Sequence, residues 1–151
     1  MLTSGASAPS FSLPDSVTGQ VVSDPWSAGR TVIAFFKVTC PVCQMIAPKI
    51  KGLATSGVPV VAVGQDPPAA LGRYADDHGQ QVPTVTEAPP YPVSSAFGVS
   101  TVPTLFVVDE DGTIVDAVAG WDRDRWNAVA ASFGAPLLST QGDGLPVFRP
   151  G

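Results

Sequence analysis

A continuous apolar run over residues 31–36 (TVIAFF) is the feature that most restricts the fold. Because its apolar residues do not alternate with polar ones, a strand over this run must be covered on both faces. Similar runs follow at residues 58–63 and 104–108. Apolar spacing, with proline at each first turn, predicts intervening helices from Pro41 to about Leu53 and over residues 67–77. The chain therefore alternates buried strands with helices.

The remaining segments are shorter or more polar. Residues 104–108 and 113–119 flank an Asp111-Gly112 turn and are expected to form a hairpin. Asp122 is expected to cap a last helix, whose apolar positions recur at i, i+3, i+4 and i+7. The other predicted elements are a small N-terminal hairpin within residues 9–24, a short strand over 83–86 and a short helix over 93–97. This order of elements predicts an α/β sandwich with a mixed central sheet.

The length of 151 residues is typical of a single domain. We expect one domain over residues 1–151, with its core over about 9–133. Residues 134–151, called the tail below, contain three Pro and four Gly and show little periodicity. The tail is expected to be either an extended strap over the domain or a frayed end.

Charge and hydropathy limit the partners. The net charge of −5 and the pI of about 4.5 argue against nucleic acid and anionic membranes as partners. No stretch of 18 apolar residues exists, so no membrane span is expected. The first residues have neither a basic nor an apolar segment, which favours a cytoplasmic location. A periplasmic location is the alternative if a leader has been removed. We expect a monomer.

The strongest chemical signal is the motif Cys40-Pro41-Val42-Cys43, which follows the first buried strand and opens a predicted helix. At the N-cap, the Cys40 sulfur faces backbone N–H groups that lack a helical partner, and the helix dipole adds positive potential. Both effects favour the thiolate, which is the form that attacks a disulfide. Cys43 lies one turn further on, where its sulfur can reach that of Cys40. We predict that Cys40 attacks and that Cys43 resolves the mixed disulfide.

Other interpretations of the pair fit the sequence less well. Two cysteines can simply be small buried apolar residues, or half of a zinc site. The chain has no third cysteine and a single histidine, His78, so a structural zinc would need carboxylate ligands. We therefore predict a redox dithiol with no metal and no cofactor.

The residues around the pair resemble the thioredoxin superfamily. Residues 40–48 (CPVCQMIAP) are similar to its active-site helix, and residues 101–104 (TVPT) are similar to its second motif. The resemblance implies that Pro103 has a cis peptide bond beside the cysteines and that the Val102 backbone pairs with an extended substrate. An ordinary proline at the start of a strand is the alternative for Pro103. Three neighbours of the cysteines are also implied to bind substrate: Thr39, Pro41 and Val42.

Two further features resemble the TlpA-like and redoxin (AhpC-TSA-like) branch of this superfamily rather than plain thioredoxin. One is the opening segment, residues 8–15 (APSFSLPD), and the other is the 37 positions that separate Asp66 from Pro103. Plain thioredoxin has a much shorter connection. The resemblance therefore implies a thioredoxin-like fold with an inserted helix–strand unit, from Pro67 to about Thr86.

The chain departs from the superfamily at two positions. Thr39 stands where tryptophan is usual, which removes apolar surface beside Cys40. Ala34 stands where plain thioredoxin has a buried aspartate, so Cys43 lacks that proton acceptor. TlpA-like proteins place an acidic residue at the end of the next strand, and Asp66 is at about that place. Asp66 is therefore either the proton acceptor or the cap of the following helix.

The predicted function is a thiol–disulfide oxidoreductase that reduces protein disulfides with electrons from an unknown donor. The alternative is a peroxiredoxin-like thiol peroxidase, whose motif P-x-x-x-[ST]-x-x-C neither cysteine matches. Phe36 and Cys40 stand at the Pro and Thr positions before Cys43, and Ile33 and Lys37 stand there before Cys40. A copper-binding module would need a His or Met beside the pair, which the spacing does not supply.

Overall fold

The computed structural model describes residues 1–151. The helices are α1 (Pro41–Thr55), α2 (Pro68–His78), α3 (Pro92–Ala96) and α4 (Arg123–Ser132), with a 3₁₀ helix over Pro25–Ala28. The strands are β1 (Ser12–Pro14), β2 (Val21–Ser23), β3 (Thr31–Phe36), β4 (Val60–Gly64), β5 (Thr84–Thr86), β6 (Thr104–Val108), β7 (Ile114–Ala119), β8 (Trp121–Asp122) and β9 (Phe148–Arg149). Five of these strands form the central sheet in the order β5-β4-β3-β6-β7.

β3 lies at the centre of this sheet, and all six of its residues are buried. It pairs in parallel with β4 and antiparallel with β6. Its side chains alternate between two cores, with Val32 and Ala34 on one face and Ile33 and Phe35 on the other. This double burial explains the apolar run, and the predicted α/β fold with a mixed sheet is confirmed.

Different elements cover the two faces. On one face, α1 and α4 bury apolar side chains that include Ile46, Ile50 and Trp126. On the other, the N-terminal segment and the 3₁₀ helix bury Phe11 and Trp26, which meet edge-on at 5.6 Å between centroids, and α3 buries Val93 with Phe97 directly after it. Full burial of each such side chain contributes about 1.5–3 kcal/mol. The N-terminal hairpin is present as predicted, with β1 and β2 paired antiparallel.

The inserted helix–strand unit consists of α2 and β5, and β5 adds to the sheet in parallel beside β4. Gly64 at the end of β4 allows α2 to pack closely. A methyl group on Gly64 would lie 2.5 Å from a Leu71 methyl and 3.3 Å from the Phe36 ring. The unit thus lies directly beside the end of β3, from which the cysteine motif begins.

Several predicted boundaries differ from the structure by one or two residues. The strand predicted over 58–63 begins at Val60, because the Val58 amide instead donates to the Leu53 carbonyl and closes the end of α1. α1 itself continues to Thr55. α2 begins at Pro68, and Pro67 is its N-cap.

The tail crosses α1 and α4 and is held by a polar network around Asp143. Its carboxylate accepts a 2.5 Å hydrogen bond from the Ser139 hydroxyl and forms ion pairs with Lys49 of α1 and Arg123 of α4 at 3.1 and 3.3 Å. Arg123 also donates to the Leu145 carbonyl at 2.8 Å. The Ser139 hydroxyl, the Leu145 amide and Lys49 together hold the pKa of Asp143 well below its usual range. The tail is therefore a bound segment in this structure.

We predict that Asp143→Asn loosens the tail, because a neutral amide loses both ion pairs. Since the pKa of Asp143 is lowered on folding, its carboxylate stabilises the bound tail above the ordinary aspartate pKa of 3.8. That stabilisation is lost only as the pH falls through the lower folded-state value. After correction for intrinsic rates, hydrogen exchange should therefore show the same protection of the tail amides from pH 5 to pH 8 in the intact protein. In the variant, their protection should be severalfold lower. Asp77→Asn, on the exposed face of α2, is the control and should change nothing; equal tail protection in both variants would contradict the prediction.

Candidate active site

Cys40 lies between β3 and α1 and is the N-cap of α1, as predicted. Its backbone is extended, with φ −82° and ψ 115°, and its sulfur accepts a hydrogen bond from the Cys43 amide at 3.1 Å. Pro41 occupies the first helical position, where its lack of an N–H costs nothing. An N-cap normally uses a side-chain oxygen. Here the sulfur takes that place, so the start of α1 stabilises negative charge on Cys40.

The two cysteines differ in exposure and in their hold on the proton. Both are free thiols, Cys40 is half-buried and Cys43 is fully buried. Burial raises the pKa of the Cys43 thiol strongly, and the hydrogen bond to the Cys40 sulfur raises it further. The Lys37 backbone opposes this with a smaller effect. Cys43 therefore keeps its proton, while Cys40 is the sulfur that an incoming molecule can reach.

A loop before β6 lies against Cys40. The Val102–Pro103 peptide bond is cis, as the resemblance implies. The Cys40 sulfur lies 3.4 Å from the Val102 carbonyl oxygen, to which its thiol donates. Thr104 donates to the Thr101 carbonyl at 2.8 Å, and Gly120 donates to the Pro103 carbonyl at 2.7 Å. These bonds hold the loop at the end of the sheet with one carbonyl facing the sulfur.

The other three predicted substrate-binding residues are placed differently from one another. Thr39 and Pro41 are exposed beside Cys40. Val42 is 7% exposed and packs in the core between α1 and the sheet. Its side chain is therefore not available to a substrate, because position 42 points inward on the first turn of α1. Only the Val42 backbone lies at the site.

Asp66 does not cap α2. The N-cap of α2 is Pro67, with no side-chain hydrogen bond. Instead, the Asp66 carboxylate accepts a hydrogen bond from the Val38 amide at 3.1 Å, in the loop that leads to Cys40. Gln44 donates to the Val38 carbonyl at 2.8 Å, so the loop is held from both sides. The Lys37 side chain is exposed to solvent.

Tyr74 on α2 is a site residue that the sequence did not reveal. It is 4% exposed and packs in one cluster with Cys43 and Phe36, whose ring centroid lies 5.0 Å away. Its hydroxyl has no protein hydrogen-bond partner. Burial raises the pKa of Tyr74, and proximity to Cys43 and Cys40 raises it further. The spacing of Leu71, Tyr74 and His78 on one side of α2 was the available signal.

No cluster of three or more His, Cys, Asp or Glu side chains has an arrangement suitable for binding a metal ion. No helix has the length and apolar character that a bilayer span requires.

Residues 4–117 match the model of the AhpC/TSA family. The chain belongs to the AhpC/TSA family. A Mycobacterium tuberculosis protein named as a peroxiredoxin, Rv2521, is 33% identical over an alignment of 134 residues that covers 77% of this chain and 84% of that protein. The thiol-disulfide oxidoreductase ResA of Bacillus subtilis is 25% identical over 79% of this chain and 69% of its own length.

Solved structures place the fold in the same group. The structure of a thio-disulfide isomerase from Thermus thermophilus superimposes with a TM-score of 0.70 and 26% identity, over 90% of this chain and all of that one. The predicted thioredoxin-like fold and redoxin-branch membership are confirmed, and with them the class of enzyme, a thioredoxin-like thiol–disulfide oxidoreductase with a CXXC-spaced pair.

We predict that Tyr74→Phe stabilises the protein. A buried hydroxyl without a partner costs about 1–3 kcal/mol, so its removal should raise the free energy of unfolding by about 1 kcal/mol. Urea unfolding of the reduced protein measures the change. Phe36→Leu is the control for the same cluster and should destabilise, because it removes ring contacts. A Tyr74→Phe variant less stable than the wild type would show that the hydroxyl makes a stabilising bond.

Proposed function

We propose that the protein reduces disulfides in protein substrates, with Cys40 as the attacking thiolate and Cys43 as the resolving thiol. The observation that carries this proposal is the asymmetry of the pair. The half-buried Cys40 sulfur accepts a hydrogen bond from the Cys43 amide at the start of α1, whereas burial raises the pKa of the Cys43 thiol. One cysteine is thus ready to attack, and the other holds its proton until it is needed.

The reaction proceeds in two exchanges with balanced electrons. The Cys40 thiolate attacks one sulfur of the substrate disulfide, the substrate S–S bond breaks, and the released sulfur leaves as a thiolate that takes a proton. Cys43 then loses its proton and attacks the Cys40 sulfur, which breaks the mixed disulfide and releases the second substrate thiol. Two electrons have passed to the substrate, and Cys40–Cys43 is now a disulfide. An external dithiol donor returns the pair to the reduced state.

Asp66 is our proposed proton acceptor for Cys43. One observation supports the role: its carboxylate accepts a hydrogen bond from the Val38 amide, in the loop between β3 and Cys40. Ala34 offers no carboxylate on β3. Asp66, between β4 and α2, is thus the carboxylate that contacts the loop leading to Cys40.

The proposed substrate contacts are the exposed Thr39 and Pro41, the Val42 backbone, and the Val102–Pro103 loop. The carbonyl of Val102 is bound by the Cys40 thiol, and it becomes free to accept a substrate amide when that thiol loses its proton. We further propose a cytoplasmic monomer, in keeping with the reducing direction. Cell fractionation and size-exclusion chromatography test these two points.

A peroxiredoxin-like peroxidase is the second candidate, because a relative with 33% identity is named as a peroxiredoxin. The residue three before Cys40 is Lys37, whose side chain is exposed and carries no hydroxyl. The site therefore lacks the hydroxyl that the peroxidase motif provides. A Cys40 reaction with hydrogen peroxide far faster than that of free cysteine would favour this candidate over the reductase.

Cys40→Ser is expected to abolish insulin reduction, since serine is not nucleophilic enough to attack a disulfide. Cys43→Ser should instead accumulate mixed disulfides at Cys40, which mass spectrometry after acid quenching detects. Iodoacetamide should modify Cys40 well before the fully buried Cys43. Ser95→Ala, on the exposed side of α3, is the control and should keep full activity. Mixed disulfides trapped at Cys43 in the Cys40→Ser variant would reverse the two roles.

Asp66→Asn is expected to slow release of the mixed disulfide by about 10²-fold or more, the usual contribution of a positioned base. The rate of Cys40 alkylation should change little, so the two steps separate. Single-turnover release at pH 6 to 9 measures the effect, and the defect should shrink at high pH, where hydroxide can take the Cys43 proton. Asp76→Asn on the exposed face of α2 is the matched control. A pH-independent defect would instead mean that Asp66 only positions the Val38 loop.

A further inference from the structure

The end of the tail runs along the active-site end of the sheet. β9 pairs antiparallel with β8, with Arg149 opposite Trp121 and Phe148 opposite Asp122. Just before β9, the Val147 carbonyl accepts a hydrogen bond from the Arg123 amide at 2.8 Å. The Pro146 carbonyl accepts one from the Trp121 indole N–H at 2.7 Å. This path carries the chain from the polar network at Asp143 toward the loop that faces Cys40.

Backbone packs on backbone at the end of this path. A methyl group on Gly120 would lie 2.9 Å from the Arg149 carbonyl oxygen and 3.2 Å from the Gly151 nitrogen. A methyl group on Gly151 would overlap both the Val102 carbonyl and the Thr101 hydroxyl. Glycine at both positions therefore allows the tail to lie directly on the loop.

The tail thus meets the same atom as the reactive sulfur. The Val102 carbonyl oxygen is 3.4 Å from the Cys40 sulfur, and Gly151 closes over that carbonyl. A polypeptide whose disulfide reaches Cys40 and whose backbone lies along this loop would need the space that Gly151 occupies. The tail also lies outside residues 4–117, which match the family model.

We propose that residues 148–151 are an autoinhibitory segment that occupies the groove for extended, disulfide-bearing peptides and competes with them. The proposal rests on the proposed reduction of protein disulfides. The competing segment and the substrate would use the same mode, an extended backbone laid against exposed backbone groups.

The contacts of the segment suit reversible release. β9 has two residues, and the Phe148 side chain is 56% exposed, so little apolar area holds it down. The preceding part of the tail stays fixed through Asp143 and Arg123, so residues 148–151 are a tethered ligand with an effective concentration of roughly millimolar. A substrate must compete with that concentration. Its apparent affinity is therefore its intrinsic affinity multiplied by the fraction of protein molecules in which the segment is released.

Removal of residues 148–151 tests the proposal and leaves the bonds of Pro146 and Val147 intact. With the segment gone, kcat/KM for insulin reduction should rise by about fivefold or more, if the closed form is about 80% populated or above. The small disulfide DTNB, which needs little of the groove, should respond less. Gly151→Val should act in the same direction, because its side chain cannot fit on the Val102 carbonyl. Leu137→Ser, an exposed tail position at 66%, is the matched control and should match the wild type.

A second measurement is independent of enzymatic turnover. A peptide-sized maleimide should alkylate Cys40 faster in the shortened protein, and a synthetic peptide VFRPG should slow that reaction again. Equal alkylation and insulin rates in the shortened and intact proteins, or slower ones after shortening, would overturn the proposal. Insulin reduction that survives Cys40→Ser would instead refute the proposed function, and the alkylation result would still decide the role of the tail.

Discussion

The hydrogen bond from the Cys43 amide to the Cys40 sulfur is the interaction on which the site depends. It caps the start of α1 and gives the Cys40 sulfur its electrostatic environment in a single contact. A helix start needs an acceptor for its free N–H groups, and an anionic sulfur is a good one. The structural need of the helix and the chemical need of the nucleophile are therefore met by the same atom. The fully buried Cys43 is held one turn away because α1 packs its inner face on the sheet.

The Val102 carbonyl is the second point where structure and chemistry meet. It is presented to Cys40 by a loop that Thr104 and Gly120 hold in place. Two groups lie against it in the structure, the Cys40 thiol and Gly151 of the tail, and the backbone of a substrate is its proposed third partner. Under the two proposals, an extended substrate therefore competes for this carbonyl with the end of the tail, which is tethered but largely exposed. The tail that the Asp143 network holds against α1 and α4 thus also reaches the proposed substrate groove.

Much of this could be predicted from the sequence, because the decisive signals are local. The buried run at β3, the helix that starts at Cys40, the small N-terminal hairpin and the Asp122 cap of α4 each depend on neighbours within one or two turns. The features that could not be predicted depend on contacts between residues far apart in the sequence. Val42 looked like a surface neighbour of the cysteines and is core, since the direction in which α1 leaves the sheet sets its burial. Tyr74 lies 31 residues beyond Cys43 in the chain, and only the packing of α2 against Gly64 brings it to the site.

Local signals in the sequence are enough to predict the alternation of buried strands and helices and the placement of the two cysteines at a strand–helix junction, because these follow from hydrophobic pattern and helix-end chemistry. Contacts between distant elements fix the direction of the Asp66 side chain, the packing of the Tyr74 phenol beside Cys43, and the path of the Pro- and Gly-rich tail. The tail has no periodicity of its own, so its path is set by partners on other elements: Lys49, Arg123 and Trp121. Backbone contacts at Gly120 and Gly151 then place its end on the loop beside Cys40, which no local pattern encodes.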